Sequence, residues 1–386
     1  IFLVVMVALG CFVPAVDSAT EEGSVRLAYP GLESSYRIAY RGAPGVVREL
    51  RNSEVDRFLP MHANDHVNTV LEGDGRWHFT DLYLRPVFVE AHGEVALTID
   101  IASSEHERGL NHEAGSPIDL ERGERGAKPD ARGGADSPFA FSQRLMRAVL
   151  LTNVVFPIAT RYGYIRHNTP GKWWDSLYTW DSGFVALGLA ELDRRRAEDC
   201  LRAYVTDEDE ALPFVLHGTP LPVQIFAARE LWNRYQDRAF LEAVYPGLKT
   251  MYAYLAGQGD GWAARGGSPT RPFEAPIIAT WDLFYNSGGW DDYPAQYRVH
   301  KEGLTGSVAP VVSTAYLIRC ARILASFARL LDRGEDEARR FEDDAEAMGE
   351  ALQAHAYDEE SGYFGYLRFD ADGRPAGILR VGAGGE

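Results

Sequence analysis

Polar and apolar residues follow two different periods along this chain, and each period predicts a different kind of element. Between about residues 20 and 103, apolar residues alternate with polar ones in short runs separated by turns rich in Gly, Pro and Asp. The runs span residues 24–28, 35–40, 66–71 and 95–101. A period of two is typical of half-buried strands, so this region is predicted to form a small antiparallel β domain.

From Pro138 onward, apolar residues recur every three or four positions, which predicts a mainly α fold after the small β domain. The helices are predicted near residues 139–156, 183–204, 221–236, 238–257, 309–332 and 335–355. One face of the fourth carries Phe240, Val244, Leu248, Met251 and Leu255. One face of the fifth carries Tyr316, Cys320, Ile323, Phe327 and Leu330. Asp237 is placed to cap the fourth helix.

Two further segments fit neither period. Residues 104–137 are rich in Gly, Glu, Arg and Ser and nearly free of apolar residues, which predicts a flexible linker or surface insertion. Residues 1–16 form an apolar run that is short for a bilayer span and is followed by small residues, as in a signal peptide. We interpret residues 1–19 as a signal peptide remnant and expect a secreted, periplasmic or cell-envelope protein. The run has no initiator Met and no basic flank, so we expect an incomplete copy.

The chain has three cysteines, and none of them predicts a disulfide or a zinc site. Cys11 follows Leu-Gly in the apolar run and could be a lipid anchor, although an ordinary residue of the run is the preferred interpretation. That anchor is the only membrane attachment we consider. Cys200 and Cys320 fall within helical patterns and are predicted to be buried thiols.

Composition and charge narrow the class of ligand. The 386 residues are 46% hydrophobic and 12% aromatic, as in ordinary globular proteins, and the formal net charge is −17. An acidic surface repels phosphate backbones, so nucleic-acid binding is disfavoured, whereas neutral hydroxyl-rich ligands meet no such repulsion. The sequence has no Gly-rich phosphate loop and nothing that supports a Ca²⁺ site, so we expect no cofactor and no metal. The oligomeric state is left open.

Two segments combine aromatic residues with carboxylates in loops before or between helices. The first spans residues 168–184 and holds Trp173, Trp174, Tyr178, Trp180 and Asp181. The second spans residues 279–294 and holds Trp281, Asp282, Tyr285, Trp290, Asp291 and Asp292. Sugar rings stack on aromatic faces, and glycosidic hydrolysis needs one carboxylic acid to protonate the leaving oxygen and a second carboxylate to activate water or attack the sugar. The alternative is that Asp181 and Asp292 are only helix N-caps and the Trp residues only core.

At these residues the sequence resembles the trehalases and the glycoside hydrolases of families 37 and 63, which include processing glucosidases and mannosylglycerate hydrolases. Residues 170–182, from Pro-Gly to Trp-Asp-Ser, are similar to the first trehalase signature. Gly289-Trp290-Asp291 resembles the loop that carries the catalytic Asp of both families. Residues 222–232, 237–248 and 357–364 resemble further segments of these catalytic domains, in the same order. The resemblance covers roughly residues 138–386.

The resemblance implies an (α/α)6 toroid and an inverting glycosidase that acts on a carbohydrate substrate. It makes Asp291 the general acid, and Asp292 is the alternative. The residues expected to bind the sugar are Trp174, Tyr178, Trp180, Asp181, Trp281 and Trp290. Two departures argue against trehalose: Trp173 replaces an Arg of the signature, and residues 220–222 read Pro-Leu-Pro instead of Gln-Pro-Pro. We therefore expect an α-glucoside or a related glycoside such as a mannoside.

The resemblance also suggests that residues 138–386 are the N-terminal half of the toroid. A closed toroid of six hairpins needs twelve helices, and six are predicted. The catalytic base of these families is a Glu late in the toroid, expected beyond residue 386, while Glu274, Glu359 and Glu360 are nearby alternatives. Without a base no water is activated, so we expect the 386-residue chain by itself to be inactive.

Two other functions stay open. A polysaccharide lyase can also use a helical toroid, with a Tyr or His base and basic residues that face uronates. His217 and His300 are available for it, but the two aromatic segments are acidic. A carbohydrate-binding envelope protein would keep the aromatic residues without catalysis, and it would show sugar affinity without turnover.

Overall fold

The computed structural model describes residues 2–3, 6–7, 17–21, 24–28, 35–41, 45–50, 79–84, 87–88, 92–93, 98–103, 138–160, 163–168, 179–205, 221–258, 274–278, 293–304 and 306–380. The chain divides into two compact units. The first comprises Ile1–His62 and Thr69–Ser176, and the second comprises Ala63–Asn68 and Leu177–Glu386. The domain boundaries predicted from the sequence stay predictions, and the linker predicted over residues 104–137 lies outside the described residues.

The described part of the first unit is dominated by antiparallel strands. They are β1 (Phe2–Leu3), β2 (Met6–Val7), β3 (Asp17–Glu21), β4 (Ser24–Ala28), β5 (Tyr36–Arg41), β6 (Gly45–Leu50), β7 (Phe79–Leu84), β8 (Val87–Phe88) and β9 (Thr98–Ser103). The sheets have the strand orders β3-β4-β5-β9, β2-β7-β6 and β1-β8. In β5, Ile38 is fully buried while neighbouring Arg37 is exposed. This alternation follows from the period of two, and the predicted antiparallel sheet is confirmed.

Two predictions about the N-terminal β region are not tested by the sheets. The run at residues 66–71 lies outside the described residues. The signal peptide remnant stays a prediction, although the described part of that segment forms short strands: β1 pairs with β8, β2 pairs with β7, and β3 pairs with β4.

Helix α1 (Ala140–Thr152) belongs to the first unit and ends earlier than the predicted residue 156. An antiparallel hairpin of β10 (Val154–Thr160) and β11 (Gly163–Asn168), which the sequence analysis missed, follows it. Pro157 explains the early end, because proline has no amide proton and disfavours a helical residue before it. Asn168 donates from Nδ2 to the carbonyl oxygen of Leu150 over 2.7 Å, which satisfies one of the last carbonyl groups of α1.

The described part of the second unit is mainly α, as predicted. Its helices are α2 (Thr179–Leu189), α3 (Arg194–Arg202), α4 (Val223–Tyr235), α5 (Arg238–Leu255), α6 (Pro294–Lys301), α7 (Val311–Leu330) and α8 (Glu335–His355). Helices α4, α5, α7 and α8 lie within a few residues of their predicted bounds. Asp237 caps α5 as predicted, accepting a hydrogen bond from the Phe240 amide at 2.9 Å.

The single helix predicted over residues 183–204 is wrong, because α2 and α3 are two helices with a turn at residues 190–193. Asp193 accepts a hydrogen bond from the Arg196 amide at 3.1 Å and caps α3. An Asp side chain that binds the backbone in this way starts a new helix and competes with continuation of the previous one. The described part of the second unit therefore contains three helical hairpins, α2–α3, α4–α5 and α7–α8.

The hairpins lie side by side with like helices parallel. Between α2 and α4, Gln224 donates to the Thr179 carbonyl and Tyr235 to the Ala190 carbonyl, so partners 45 positions apart meet at both ends. Between α5 and α8, partners 92 positions apart meet: Tyr245 with Glu337, and Tyr252 with Asp344. A constant offset is the mark of two parallel helices.

Helix α7 continues the first of these rows. The Arg229 guanidinium donates to Ser326 Oγ at 3.0 Å, and the Cys320 thiol lies 3.8 Å from the Pro222 carbonyl, so positions 97 and 98 apart meet. One layer thus contains α2, α4 and α7, and the other contains α3, α5 and α8. Two concentric layers of this kind, made of successive hairpins, are what an (α/α)6 toroid contains.

The core of the second unit lies between the two layers. The predicted face of α5 is buried at every position, and Cys320, Ile323 and Phe327 of α7 are buried as predicted. Cys200 and Cys320 are both buried, which confirms their interpretation as buried thiols. Helix α7 is also long and apolar enough to cross a membrane, but 56% of its most apolar window is buried inside the protein. A buried core helix passes the same test.

Short antiparallel strands, absent from the sequence analysis, close the described part of the second unit. They are β12 (Val308–Ala309), β13 (Tyr357–Asp358), β14 (Tyr363–Phe364), β15 (Leu367–Phe369) and β16 (Pro375–Ile378). β12, β15 and β16 form one sheet, and β13 pairs with β14. Leu367 and Phe369 pack with Ile277 and with Leu352 near the end of α8, so this sheet anchors the segment that leads towards residue 279.

Candidate functional site

Two of the sequence-predicted site residues, Trp180 and Asp181, lie in the first turn of α2. Both side chains are partly buried. Asp181 is the third residue of the helix, so the alternative that it serves only as an N-cap does not hold. A carboxylate in the first helical turn is stabilised by the partial positive charge of the helix N-terminus. Asp181 therefore lies where the helix N-terminus attracts negative charge.

Trp180 forms an aromatic pair with Phe184, one turn further along α2. The two ring centroids are 4.9 Å apart, and the rings meet edge to face at 88°. Phe184 is 42% exposed, which is unusual for a large apolar side chain on a core helix. The pair fixes the orientation of the Trp180 ring while part of the aromatic surface stays accessible to a ligand.

The opposite side of the same turn is buried and tightly bound. Ser182 is 1% exposed, and its hydroxyl donates to the Tyr204 hydroxyl oxygen over 2.7 Å. Burial raises the pKa of the Tyr204 hydroxyl well above its usual range, so Tyr204 stays neutral. The carbonyl of Thr179, fully buried, accepts a hydrogen bond from Gln224 of α4. The first turn of α2 is thus fixed from two sides.

The layer geometry brings several chain segments to this end of the helices. Because α2, α4 and α7 are parallel, their N-termini open on the same end of their layer. The amide of Ile278 donates to Thr314 Oγ1, in the first turn of α7, over 3.0 Å. Residue 278 leads directly into the second aromatic segment, and Pro222 at the start of α4 ends the Pro-Leu-Pro sequence. The described residues Thr179 and Ile278, one in the first segment and one just before the second, therefore lie at one end of one helical layer.

Most of the predicted site residues lie outside the described residues. These are Trp174, Tyr178, Trp281, Trp290, Asp291 and Asp292. Their assignments as sugar-binding residues, as the general acid (Asp291) and as its alternative (Asp292) stay predictions. The described residues of the second segment include Tyr293, which is 42% exposed and has its ring centroid 6.1 Å from that of Tyr366.

The described alternatives for the catalytic base are all exposed. The Glu274 carboxylate is 3.9 Å from Arg374, and the Glu360 carboxylate is 3.5 Å from Arg380. Glu359 lies in the same exposed turn as Glu360. Exposed carboxylates beside arginines differ from the water-poor setting in which a catalytic carboxyl is usually tuned. Their proposed role stays a prediction.

Metal ligation has no candidate in the part of the chain that the structure describes. No group of three or more His, Cys, Asp or Glu side chains converges among these residues. Trp180 contacts the Phe184 ring, and hydrogen bonds of Ser182 and Thr179 hold the turn that carries Trp180 and Asp181, which suits a neutral polar ligand.

A comparison with protein families decides the assignment. The model described as "Mannosylglycerate hydrolase MGH1-like glycoside hydrolase domain" matches residues 175–381. The chain belongs to this glycoside hydrolase family. The match begins four positions before α2 and includes the hairpins α2–α3, α4–α5 and α7–α8. The resemblance to family 63-type glycoside hydrolases is thereby confirmed.

Solved structures add weaker likenesses. An uncharacterized conserved protein from Thermus thermophilus is 19% identical at a TM-score of 0.36, over 50% of this chain and 59% of that one. The GH63 mannosylglycerate hydrolase of the same organism, in complex with Tris, is 18% identical at a TM-score of 0.38. That match covers 52% of this chain and 64% of the hydrolase chain. A GH78 rhamnosidase of a Bacillus species is 13% identical at a TM-score of 0.44. That match covers 94% of this chain and 36% of the rhamnosidase chain. The chain spans about three fifths of the length of the first two. No curated protein matches the chain.

The sequence analysis missed the residues that support the site. Thr179, Ser182, Tyr204, Gln224 and Thr314 were not singled out. Gln224 had a detectable signal, because it is the one polar residue in the run Val-Gln-Ile-Phe-Ala-Ala at the start of α4. A buried polar side chain needs a hydrogen-bond partner, but the sequence does not say which one.

Proposed function

We propose that this protein is a glycosidase that hydrolyses a small α-mannoside or α-glucoside with inversion at the anomeric carbon. The observation that carries the proposal is the family match over residues 175–381, which begins just before the turn that presents Trp180 and Asp181. That turn combines an oriented aromatic ring with a carboxylate at a helix N-terminus. Such a pair can stack on one face of a sugar and accept hydrogen bonds from its hydroxyl groups.

The proposed roles follow from the chemistry of the bond. Asp291 protonates the leaving oxygen, and Asp292 is the alternative. A Glu acts as the base that activates water on the opposite face of the ring. Inversion requires room for that water, so the two carboxyl groups should be about 6.5–9.5 Å apart. Trp180 and Asp181 hold the sugar, together with the aromatic residues of both predicted segments.

The substrate and the location of the protein are parts of the same proposal. The family takes its description from an enzyme of mannosylglycerate, so a mannoside with a small hydroxy-acid aglycone is the first substrate to test. We also propose that the protein is exported, on the basis of the apolar run at residues 1–16. The absence of the Gln-Pro-Pro sequence supports a substrate other than trehalose.

The test uses the full natural chain on mannosylglycerate, glucosylglycerate, trehalose and 4-nitrophenyl α-glycosides. Proton NMR during turnover should show the β-anomer of the released sugar first. Asp181→Asn should raise KM strongly, since it removes a charged acceptor of sugar hydroxyls. Asp199→Asn is the matched control, because Asp199 lies on α3 in the other helical layer, and it should leave KM unchanged.

Three outcomes would contradict the proposal. Retention of configuration would refute the inverting mechanism. Binding of mannose or glucose without turnover of any glycoside would favour a carbohydrate-binding protein. Unsaturated products from a uronate polymer would favour the lyase.

A further inference from the structure

Two direct contacts hold the first turn of α2 against the first turn of α4. Gln224 donates from Nε2 to the Thr179 carbonyl. Four residues after Thr179, Gly183 lies so close to α4 that a Cβ built on it would be 2.4 Å from Val223 Cβ. There is therefore no space between the helices for water or for a larger residue at position 183.

Gln224 is conspicuous because of its burial. Gln224 and its neighbours Val223 and Ile225 are all 0% exposed. Burying an amide costs free energy that its hydrogen bonds must offset, a requirement that a buried apolar side chain does not have. The Nε2 group has the Thr179 carbonyl as its acceptor, and Oε1 has no partner among the described residues. The polar link itself is then the feature that distinguishes Gln from an apolar side chain here.

We propose that Gln224 is a positioning residue of the sugar site, acting through the Thr179 carbonyl on Trp180 and Asp181. The inference rests on the proposed function, in which Trp180 and Asp181 hold the sugar. These two residues directly follow Thr179 in the same helical turn, so any movement of the Thr179 carbonyl moves both. Displacement of a binding group by about 1 Å can cost about a hundredfold in rate.

The kinetic test compares Gln224→Met with Ser326→Ala. Gln224→Met keeps the size of the side chain and removes the donor to Thr179. Ser326→Ala removes the hydrogen bond that Arg229, on the same helix, makes to α7, and it leaves α2 untouched. Each variant loses one interhelix hydrogen bond, so both melting temperatures should fall by a similar amount, about 2–4 °C.

The two variants should differ in catalysis on 4-nitrophenyl α-mannoside. Gln224→Met should lower kcat/KM by about 10- to 100-fold, with most of the loss in kcat, because a misplaced sugar still binds but seldom reaches the reactive geometry. Ser326→Ala should stay within about twofold of wild type. Equal kinetic parameters for the two variants would overturn the inference.

A spectroscopic readout separates this inference from the glycosidase proposal. The full chain is labelled with 5-fluorotryptophan, and the Trp180 resonance is assigned by its loss in Trp180→Phe. Gln224→Met should shift or broaden the Trp180 fluorine resonance, and Ser326→Ala should not. An unchanged Trp180 resonance in Gln224→Met refutes the positioning role. A wild-type protein that turns over no glycoside, yet shows the resonance shift in the variant, refutes the glycosidase proposal alone.

Discussion

Gly183→Ala tests how tightly α2 and α4 are packed. The added methyl group would lie 2.4 Å from Val223 Cβ and 2.7 Å from the Val223 carbonyl carbon, well inside van der Waals contact. Backbone cannot move aside as a flexible side chain can, so the two helices must separate. Overpacking of this kind costs about 1–3 kcal/mol, while Ala is better than Gly in a helix interior by about 1 kcal/mol. The net destabilisation is therefore up to about 2 kcal/mol.

The assay is thermal unfolding followed by circular dichroism, with sugar turnover measured on the same samples. For a unit of this size, a loss of up to about 2 kcal/mol should lower the melting temperature by up to roughly 8 °C. Gly349→Ala on α8 is the matched control, because a Cβ there meets no atom within 4 Å. The control should gain about 0.5–1 kcal/mol from helix propensity alone.

The same contact predicts a compensation between the two positions. Val223→Gly removes Cβ and Cγ1, two of the three atoms nearest to the new methyl group, and leaves the third, the Val223 carbonyl carbon. The double variant Gly183→Ala with Val223→Gly should therefore lose less stability than the two single variants lose in sum. If Gly183→Ala raised the melting temperature as much as Gly349→Ala does, the close approach of α2 and α4 would be refuted.

Two further predictions concern stability. Asp193→Ala should destabilise the second unit by about 1 kcal/mol, because α3 loses its cap, while Asp193→Asn should cost almost nothing. Equal midpoints of urea unfolding for these two variants would contradict the capping role. Burial raises the pKa of Glu337, but hydrogen bonds from Tyr245 and Lys249 outweigh it, so the folded pKa lies below the ordinary 4.5. The stabilisation from Glu337 is thus complete above about pH 4.5 and is lost as pH falls through its folded pKa. Tyr245→Phe should therefore cost about 1 kcal/mol in urea unfolding at neutral pH and less in acid, and a penalty independent of pH would contradict this.

The sequence was sufficient for elements whose local signals agree with their packing. The faces of α5 and α7 repeat at helical spacing, and Asp237 marks the start of α5. The turn between α2 and α3 was missed because apolar residues continue across it, and only the Asp193 cap breaks the helix. The β10–β11 hairpin and the strands after α8 are short, and their pairing depends on partners that a local pattern does not contain.

The candidate site also contains residues that a local sequence pattern reveals and residues that it does not. Trp180 and Asp181 could be selected because aromatic residues beside carboxylates are a local chemical pattern. The supporting pairs join residues far apart in the chain: Gln224 lies 45 positions from Thr179, and Tyr204 lies 22 positions from Ser182. Nothing in a single sequence records such an offset, since it is fixed only when the helices pack in parallel.

In these parallel rows of helices, the length of the connections can change independently of the way the helices pack. Partners in the first two hairpins are offset by 45 positions, whereas the partner contacts of the third hairpin with the second are offset by 92 to 98. About one hairpin's length of extra chain thus enters between α5 and α7, and like helices of the second and third hairpins are still parallel. A lineage can lengthen, shorten or replace the connections between the helices while the helical framework stays as it is. Specificity in such a protein can evolve by insertion, at little cost in folding stability.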